Sequence, residues 1–503
     1  MLIYASLLMA LQSCFLPHFP HQFQGRRPAS AHHAIAKGLA HLRQLALPDL
    51  SSLFGCLFSE EFFFKAPDSK SKRESIYTPT TLFWAFLAQV LNPGMACQEL
   101  VGKIRAWLIT RPINPKRPAL GTSAYCEARL ALPAPFLQAA FDHLRDNLQQ
   151  KAGTTWLWCG REVKVLDGTS ASMPDTPANQ AEWPQPSMQK PGCGFPVAKM
   201  LGVFCLSTGA WIGHALSIWN KHDLALWHQV AHWLVKGDVL VGDAGFCAWA
   251  LMAELQQRGV DTVFRLHQAR SKDMRRGKSL GPNDRVQTWD KPRSCPANSP
   301  WQEEAMAKMP EQMQVRVVKV VIERKGFRTK ELWLATTLID ANIYPVAQLA
   351  ELYYRRWSIE LFFRDLKTTM QMEVLRCKSP EMIKKEILMH AIAYNAIRAL
   401  ILRSAAQQSS QLGRISFKGA LDLVRQWLPK AEAYQDRPRK LAQWMDELLE
   451  AISKVQNPER AGRREPRAKK RRDKSYQLLT KPRHLFKEIP HRESYKKKID
   501  PPA

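Results

Sequence analysis

The chain has 503 residues, and its 73 Lys and Arg residues outnumber its 45 Asp and Glu residues, so the formal net charge is +28. Hydrophobic residues make up 45% of the chain and 16 residues are Trp, which excludes a protein that is disordered throughout. The length is enough for about three folding units. The excess of positive charge favours a polyanionic partner, most simply nucleic acid.

The ten cysteines are scattered, with no Cys-x-x-Cys pair and no His/Cys cluster at zinc-ligand spacing. We therefore expect no disulfide framework, and a reducing cytoplasm fits this pattern. Residues 1–15 are apolar but lack the basic start of a secretory signal, and a membrane span needs about 20 apolar residues. We interpret this segment as a buried helix or an over-extended start, and we expect a cytoplasmic protein without a membrane segment.

The first region, residues 1–150, has the pattern of helices separated by Pro-rich breaks. Thr78 precedes an apolar run and predicts a capped helix start, and a second helix is predicted over Cys97–Ile109. Basic residues recur between positions 103 and 117. Two interpretations stay open for this region: a unit that binds DNA ends, or a plain helical lobe.

The second region, residues 151–265, alternates strand and helix patterns. Six prolines within residues 174–196 predict an irregular loop. The other predicted elements are strands at 162–166 and 237–242, a hairpin with arms Val197–Leu206 and Trp211–Ile218, and a helix at Leu224–Leu234. This order of strands and helices predicts an α/β sheet.

Three further regions complete the chain. Residues 266–340 are predicted to hold a β-rich unit, because Gln314–Glu323 and Thr329–Leu338 alternate with the period of strands. Residues 341–430 carry a helical pattern that begins at Val346 and continues to Leu402. Residues 431–503 form a basic C-terminal region, in which residues 454–503 alone contain 17 Lys and Arg against 6 Asp and Glu. Such a run is usually solvated, and here it is also a candidate for phosphate contacts.

Two aspartates follow predicted strands. Asp167 and Asp243 are each expected at the carboxyl end of a strand, the edge where open α/β sheets bind ligands. Two carboxylates brought together repel each other unless a cation neutralises them, and oxygen ligands of this kind suit Mg²⁺ or Mn²⁺. An Asp after a strand is also a common turn former or helix cap, so both interpretations stay open here.

The run from Tyr353 to Lys367 carries a sharper pattern. At about 100° per residue, Tyr353, Arg356, Glu360 and Lys367 lie within about 60° of one another on a helix. One carboxylate thus shares a stripe with a phenol, a guanidinium and an ammonium. The alternative is a solvated face with an Arg356–Glu360 ion pair, which leaves Tyr353 and Lys367 unexplained.

These segments together resemble the DDE transposases of bacterial insertion sequences. The resemblance rests on residues 165–169, on residues 241–246 and on the stripe, which matches the signature Tyr-x2-Arg-x3-Glu-x6-Lys of the insertion-sequence-four family. It covers about residues 160–375. The separation of 117 positions from Asp243 to Glu360 also fits, since these enzymes insert a β domain before the catalytic Glu. The family often has Arg after the second Asp, where this chain has Ala244.

The resemblance implies an α/β fold: an RNase H-like catalytic core at 151–265 and 341–430, interrupted by the β-rich insertion at 266–340. It implies that Asp167, Asp243 and Glu360 hold two Mg²⁺ ions, for which Mn²⁺ may substitute. It further implies cleavage of double-stranded DNA at the ends of the element and joining to target DNA. Two protomers are expected to pair the ends as a homodimer, in the cytoplasm of a bacterium and on its nucleoid.

The signature implies DNA contacts rather than metal ligation for Tyr353, Arg356 and Lys367. Trp333 lies where the family's inserted β domain carries a Trp that stacks on an extruded base. A Trp in an alternating strand also commonly packs in a core. Two alternatives to a transposase remain: a metal-dependent nuclease without strand transfer, and a DNA-binding protein that has lost catalysis.

Overall fold

The computed structural model describes residues 54, 57–58, 76–109, 119–150, 156–270, 272–293, 299–321, 331–431, 437–458, 481–482 and 485–486. The predictions for residues 1–15 and for most of the basic tail lie outside this part of the chain. No helix among the described residues is long and apolar enough to cross a membrane.

Four helices form the described N-terminal part: α1 (Pro79–Leu91), α2 (Cys97–Ile109), α3 (Ser123–Ala131) and α4 (Ala134–Gln150). The predicted cap is confirmed, because the Thr78 hydroxyl accepts a hydrogen bond from the Thr81 N–H and Pro79 occupies the first turn. Helices α1 and α4 bury apolar faces against a long C-terminal helix, α10 (Pro380–Gln407). The N-terminal helices therefore share one hydrophobic core with the rest of the described chain.

The described strands form one mixed sheet in the order β3-β2-β1-β4-β5-β9-β8-β7-β6. The strands are β1 (Val163–Ser172), β2 (Val197–Cys205), β3 (Trp211–Ile218), β4 (Val239–Gly242), β5 (Asp261–Arg265), β6 (Lys278–Gly281), β7 (Asp284–Asp290), β8 (Gln312–Val321) and β9 (Glu331–Thr336). Strand β1 pairs antiparallel with β2 and parallel with β4, and β4 pairs parallel with β5. Strand β9 pairs antiparallel with β5, so the strands between 266 and 340 extend the same sheet.

Three local predictions for the second region need correction. Strand β1 continues to Ser172, so Asp167 lies inside the strand and not at its end, because pairing with β2 extends over its small and polar residues. A short helix, α5 (Pro177–Glu182), interrupts the loop predicted as irregular, and Thr176 caps it. The helix predicted at 224–234 is instead a series of short turns, Asp223–Leu226, Trp227–Val230 and Ala231–Trp233.

The connections between the strands of the sheet are short helices and turns. They comprise a 3₁₀ turn at Ala244–Phe246, α6 (Trp249–Gln257) and α7 (Glu303–Ala307). Helix α6 has a nearly continuous buried face, which packs against the sheet beside β5.

The helical pattern after Val346 is correct in type but is interrupted twice. Its elements are α8 (Val346–Arg355), α9 (Ser358–Arg364), a π-helical turn (Asp365–Thr369) and, after a non-helical stretch, α10. A 3₁₀ turn at Leu412–Arg414 leads to α11 (Phe417–Ala431) and α12 (Pro438–Lys454), which pack against each other and against α10. Helix α10 is apolar along almost its whole length and is largely buried.

Candidate active site

The register of the two parallel strands places Asp167 beside Asp243. Val165 of β1 is paired with Val241 of β4, and each aspartate lies two residues beyond that pair. Parallel strands advance in step, so the two carboxylates reach the same level of the sheet. The charge of Asp243 accordingly contributes to raising the pKa of Asp167.

Asp167 is held by one backbone hydrogen bond and one weak ion pair. Its Oδ1 accepts the Gly168 N–H at 2.8 Å, and its Oδ2 lies 3.9 Å from Nη1 of Arg356. Burial raises the pKa of Asp167 to about 6, although this hydrogen bond and the Arg356 charge oppose the shift. The carboxyl group therefore carries a proton part of the time near pH 6, and a bound cation would favour its ionised form.

Asp243 is a turn cap, one of the two interpretations that the sequence left open. Its Oδ1 accepts the Gly245 N–H at 2.8 Å and caps the 3₁₀ turn that follows β4. Its second oxygen accepts no hydrogen bond from any described residue. The side chain is thus anchored as a cap on one oxygen, and the other oxygen remains available to a ligand.

Arg356 and Tyr353 lie beneath the aspartates rather than on a solvated face. Tyr353 is 4% exposed and Arg356 is 8% exposed. The guanidinium lies over the rings of Tyr353 and Trp357, at 5.5 Å and 5.2 Å from their centroids, and its buried Nε has no hydrogen-bond partner among the described residues. Arg356 therefore directs its charge at Asp167, and the alternative Arg356–Glu360 ion pair does not form in the described part of the chain.

Glu360 is not gathered with the two aspartates in this conformation. It is exposed on α9, and no described residue hydrogen-bonds or ion-pairs with its carboxylate. Ile359, Phe362 and Phe363 occupy the buried side of this helix, where the two Phe rings contact Phe204 of β2. No group of three or more His, Cys, Asp or Glu side chains in the described ranges is close enough to share a metal ion.

The helix geometry explains this difference from the predicted stripe. The N–H groups of Arg356, Trp357, Ile359 and Glu360 each bond to the carbonyl three residues back, so the chain turns more tightly between α8 and α9. A turn of this type has 3.0 residues instead of 3.6, which rotates later side chains away from the ideal stripe. The assumption of one regular helix is therefore wrong. Farther along, Lys367 lies in the π turn with its Nζ 3.7 Å from Glu373.

Trp333 is neither fully packed nor free. It is half-buried on β9 and contacts the hydrophobic core. Two ammonium groups lie near its ring: Nζ of Lys319 is 5.6 Å and Nζ of Lys272 is 5.9 Å from the ring centroid. The arrangement is a half-exposed aromatic surface with positive charge around it, as stacking on a nucleic acid requires.

Two features near the aspartates were not found by sequence reasoning. Asp223 lies against Gly168, where an added Cβ would be 2.5 Å from its carboxylate, and Lys199 pairs with it at 3.0 Å. Arg265 is exposed at the end of β5, and its charge opposes the burial that raises the pKa of Tyr353. Asp223 had no local signal, but the register of β5 with β4 puts Arg265 level with Asp243.

The comparisons with known proteins identify the family of the chain. The family model described as "Transposase DDE domain" matches residues 158–396, which include both aspartates and the whole signature run. The chain is therefore a transposase of the DDE class, an enzyme that cuts and rejoins DNA with the divalent metal ions that this class generally uses.

Individual relatives narrow the family. The chain is 24% identical over 403 residues to the transposase InsG of insertion sequence element IS4 from Escherichia coli K12, a match covering 80% of this chain and 87% of InsG. A transposase for element IS421 of Escherichia coli is 37% identical over 60 residues, 12% of this chain and 16% of that protein. The chain belongs to the IS4 family of insertion-sequence transposases, which confirms the resemblance inferred from the motifs.

A likeness to a solved structure is much weaker. The piggyBac transposase in a synaptic complex with hairpin DNA aligns with 82% of this chain and 85% of its own, at 11% identity and a TM-score of 0.38.

Proposed function

We propose that this transposase excises an insertion sequence and joins it to target DNA at a site built by Asp167, Asp243 and Glu360. The observation that carries the proposal is the strand register that sets Asp167 beside Asp243, with Arg356 behind them. The order β3-β2-β1-β4-β5, with β4 and β5 parallel to β1 and β2 antiparallel to it, supports an RNase H-like core.

The donor set at the aspartates fits a hard divalent cation. Asp167 is a carboxyl group whose ionised form is penalised by burial, and Asp243 keeps one oxygen without a hydrogen bond. Carboxylate oxygens are the ligands that Mg²⁺ and Mn²⁺ prefer. Glu360 would complete a site for two ions once α9 turns its exposed face toward the aspartates. When bound, such ions activate an attacking hydroxyl and stabilise the leaving oxygen.

The surrounding side chains have the chemistry to position a cut DNA strand. Arg265 offers a cationic donor at the end of β5, level with Asp243, and Arg356 and the Tyr353 phenol lie behind the aspartates. Lys367, which is paired with Glu373 in this conformation, is a second candidate donor. Arginine and lysine at such places bind phosphates and fix the register of the strand. Trp333, with its two lysines, offers a stacking surface for a base that leaves the duplex.

The wider setting follows from the reaction. One protomer per DNA end, with the two protomers forming a homodimer in the paired-end complex, would allow both ends of the element to be cut together. The relatives come from Escherichia coli, which supports a bacterial cytoplasm and nucleoid as the place of action.

Strand cleavage by single alanine variants tests the proposal. The substrate is duplex DNA that contains the ends of the insertion sequence, which lie on either side of the transposase gene. We expect Asp167→Ala, Asp243→Ala and Glu360→Ala each to lower the rate of Mg²⁺-dependent nicking by at least about 100-fold, because the carboxylates act as one unit. A chelator should stop the wild-type reaction, and Mn²⁺ should restore it.

The matched control is Glu351→Ala, which removes an exposed carboxylate from α8 and should retain the wild-type rate. Binding of end DNA, measured by gel shift, should survive in all four variants. Substantial Mg²⁺-dependent cleavage by any one of the first three variants would remove that residue from the site.

A further inference from the structure

A second cavity lies away from the aspartates, between the N-terminal helices and the segment that follows the π turn. Its volume is about 280 Å³, and its walls come from α1, α3, the start of α2, residues 370–377 and α10. None of the proposed catalytic or DNA-positioning residues lines it. It therefore needs an explanation of its own.

Arg129 of α3 brings a positive charge to this cavity without a matching anion. Its guanidinium donates to Oε1 of Gln89 at 2.8 Å and approaches Sγ of Cys377 at 3.9 Å. Burial raises the pKa of the Cys377 thiol, so this partner is neutral. Nε of Arg129 is buried with no hydrogen-bond partner, and no described carboxylate is within ion-pair distance.

Other polar groups of the cavity also have unused hydrogen-bonding capacity. His390 is 6% exposed, and its Nδ1 has no partner among the described residues. Burial, with a smaller effect of Arg376, lowers the pKa of His390 to about 3, so the ring is neutral. Glu386 also lines the cavity, but its carboxylate accepts the backbone N–H groups of Arg376 and Cys377 and forms no ion pair with Arg129 in the described part of the chain. Arg376 itself is exposed at the mouth of the cavity.

Arg316 offers a comparison for Arg129, whose side chain is half-buried while its Nε is fully buried. Arg316 is fully buried and forms a two-pronged ion pair with Asp284, at 2.8 Å and 2.6 Å. Removing a charge from water without such a partner is costly. The guanidinium of Arg129 instead stacks on Phe86 and Tyr125, at 4.9 Å and 5.4 Å from the ring centroids, and faces an open space.

We propose that this cavity binds a phosphate group, with Arg129 at its floor, His390 beside it and Arg376 at its mouth. Phosphate matches the forked donors of arginine and supplies a negative charge that can pair with Arg129. The volume also admits the sugar of a phosphate ester. The phosphate could belong to the backbone of bound DNA or to a soluble phosphate compound, and the two sources share this chemistry.

Melting temperatures of the full-length protein test the proposal with inorganic phosphate as the probe. Wild type is compared in sodium phosphate and in sodium chloride of the same ionic strength. We expect phosphate at ten times its dissociation constant to raise the melting temperature by about 1–3 °C. Arg129→Met should lose this gain, and in chloride it should melt no lower than wild type, because it removes an unpaired charge and keeps the stacking bulk.

Arg316→Met is the matched control, since it breaks a paired buried arginine and should melt far lower in both salts. The proposal would be overturned if phosphate failed to raise the melting temperature of wild type. It would also be overturned if phosphate raised the melting temperature of Arg129→Met by the same amount. If Arg129→Met fails to fold, Arg376→Met at the mouth must still reduce the gain, and an undiminished gain there would equally contradict it.

The source of the phosphate is decided by the salt dependence of duplex DNA binding. If a backbone phosphate fills the cavity, Arg129→Met should lower the slope of log affinity against log salt by about 0.9. An unchanged slope, with the phosphate gain of wild type retained, assigns the cavity to a soluble phosphate compound. Neither readout depends on strand cleavage, so failure here is distinct from failure of the proposed catalytic site.

Discussion

Asp167 is the residue at which burial and function most clearly conflict. Its carboxyl group is enclosed by β1, β4 and Arg356, and the adjacent charges of Asp243 and Asp223 also disfavour ionisation. A buried carboxylate that is poorly compensated lowers stability, and such sites recur where a ligand supplies the missing charge. The raised pKa of Asp167 is thus consistent with its proposed role as a metal ligand.

The raised pKa of Asp167 determines how the stability of the folded protein changes with pH. Unfolded Asp167 ionises with a pKa of 3.8 and folded Asp167 at about 6. Ionised Asp167 therefore destabilises the folded state fully above pH 6 and partly between pH 4 and 6. Well below pH 4 the carboxyl group is protonated in both states and has no such effect. Metal-free Asp167→Asn should be more stable than wild type by at most about 3 kcal/mol at pH 7.5.

Thermal unfolding of metal-free protein at several pH values measures this difference. The gain of Asp167→Asn should shrink steadily as the pH falls toward 4. Asp261→Asn is a control of opposite sign, because it breaks a 2.7 Å ion pair with Arg161 and should destabilise the protein. A variant with Asn at 167 that is less stable than wild type at pH 7.5 would show that the aspartate is structural.

At the scale of the element, the position of β9 in the sheet determines how exposed the Trp333 side chain is. The strand lies between β5 and β8, and Leu332 and Leu334 on its other face are buried, which leaves Trp333 on the half-exposed face. Lys319 of β8 is directly opposite in the register. The strand thus presents an aromatic ring with a lysine on the adjacent strand, whereas a core tryptophan such as Trp301 is 4% exposed.

Trp333→Ala is expected to leave the first nick nearly normal and to slow the later step in which DNA is bent and a base is extruded. Loss of stacking removes about 1–3 kcal/mol, roughly a tenfold to hundredfold effect on that step. The rates of nicking and of end closure can be measured separately by gel electrophoresis of the reaction products. Trp301→Ala should instead lower the melting temperature, and a Trp333 variant that behaves in the same way would place Trp333 in the core.

Local patterns predicted some elements well, and long-range pairing decided the others. The hairpin arms β2 and β3 and the Thr78 cap follow from alternation and capping within a few residues. The continuation of β1 past Asp167 could not be seen, because Gly-Thr-Ser-Ala-Ser has no strand pattern and is held by its partner β2. The strand pattern offers side-by-side aspartates as one of two interpretations, and the register of β1 with β4 decides for it. The approach of Asp223 depends on tertiary packing.

The signature helix shows a different limit. An α-turn and a 3₁₀ turn have nearly the same residue preferences, so nothing in residues 353–360 announces the tighter turn. The sequence could identify Glu360 as a candidate ligand but could not establish where α9 would direct it. The burial of Ile359, Phe362 and Phe363 fixes that direction in the present conformation.

At the scale of the whole molecule, one sheet and one core join the N-terminal helices to the catalytic region. The described hydrophobic core extends from Phe54 to Ile452. Any movement of α9 would therefore be a movement relative to one continuous core. The net charge of +28 attracts DNA from any direction, and most of this attraction carries no sequence information. Recognition of particular DNA ends therefore needs contacts beyond this overall charge.

We expect a protein–DNA complex with two protomers and two DNA ends. Sedimentation of the complex formed with end DNA, in Ca²⁺ to hold back cleavage, should give that composition. Mixing Asp243→Ala protein with wild type should produce complexes cut at one end only. Complexes that always contain one protomer and one end, even at saturating protein, would contradict the homodimer.

The most direct test of the central claim is a count of Mn²⁺ ions bound to the DNA complex, by electron paramagnetic resonance. We predict two ions per protomer when end DNA is bound. We predict fewer in the free protein, because Glu360 is exposed to solvent in the absence of DNA. Glu360→Ala should lose at least one ion in the complex, and Glu351→Ala should lose none. Equal Mn²⁺ binding by wild type and Glu360→Ala in the DNA complex would contradict the account.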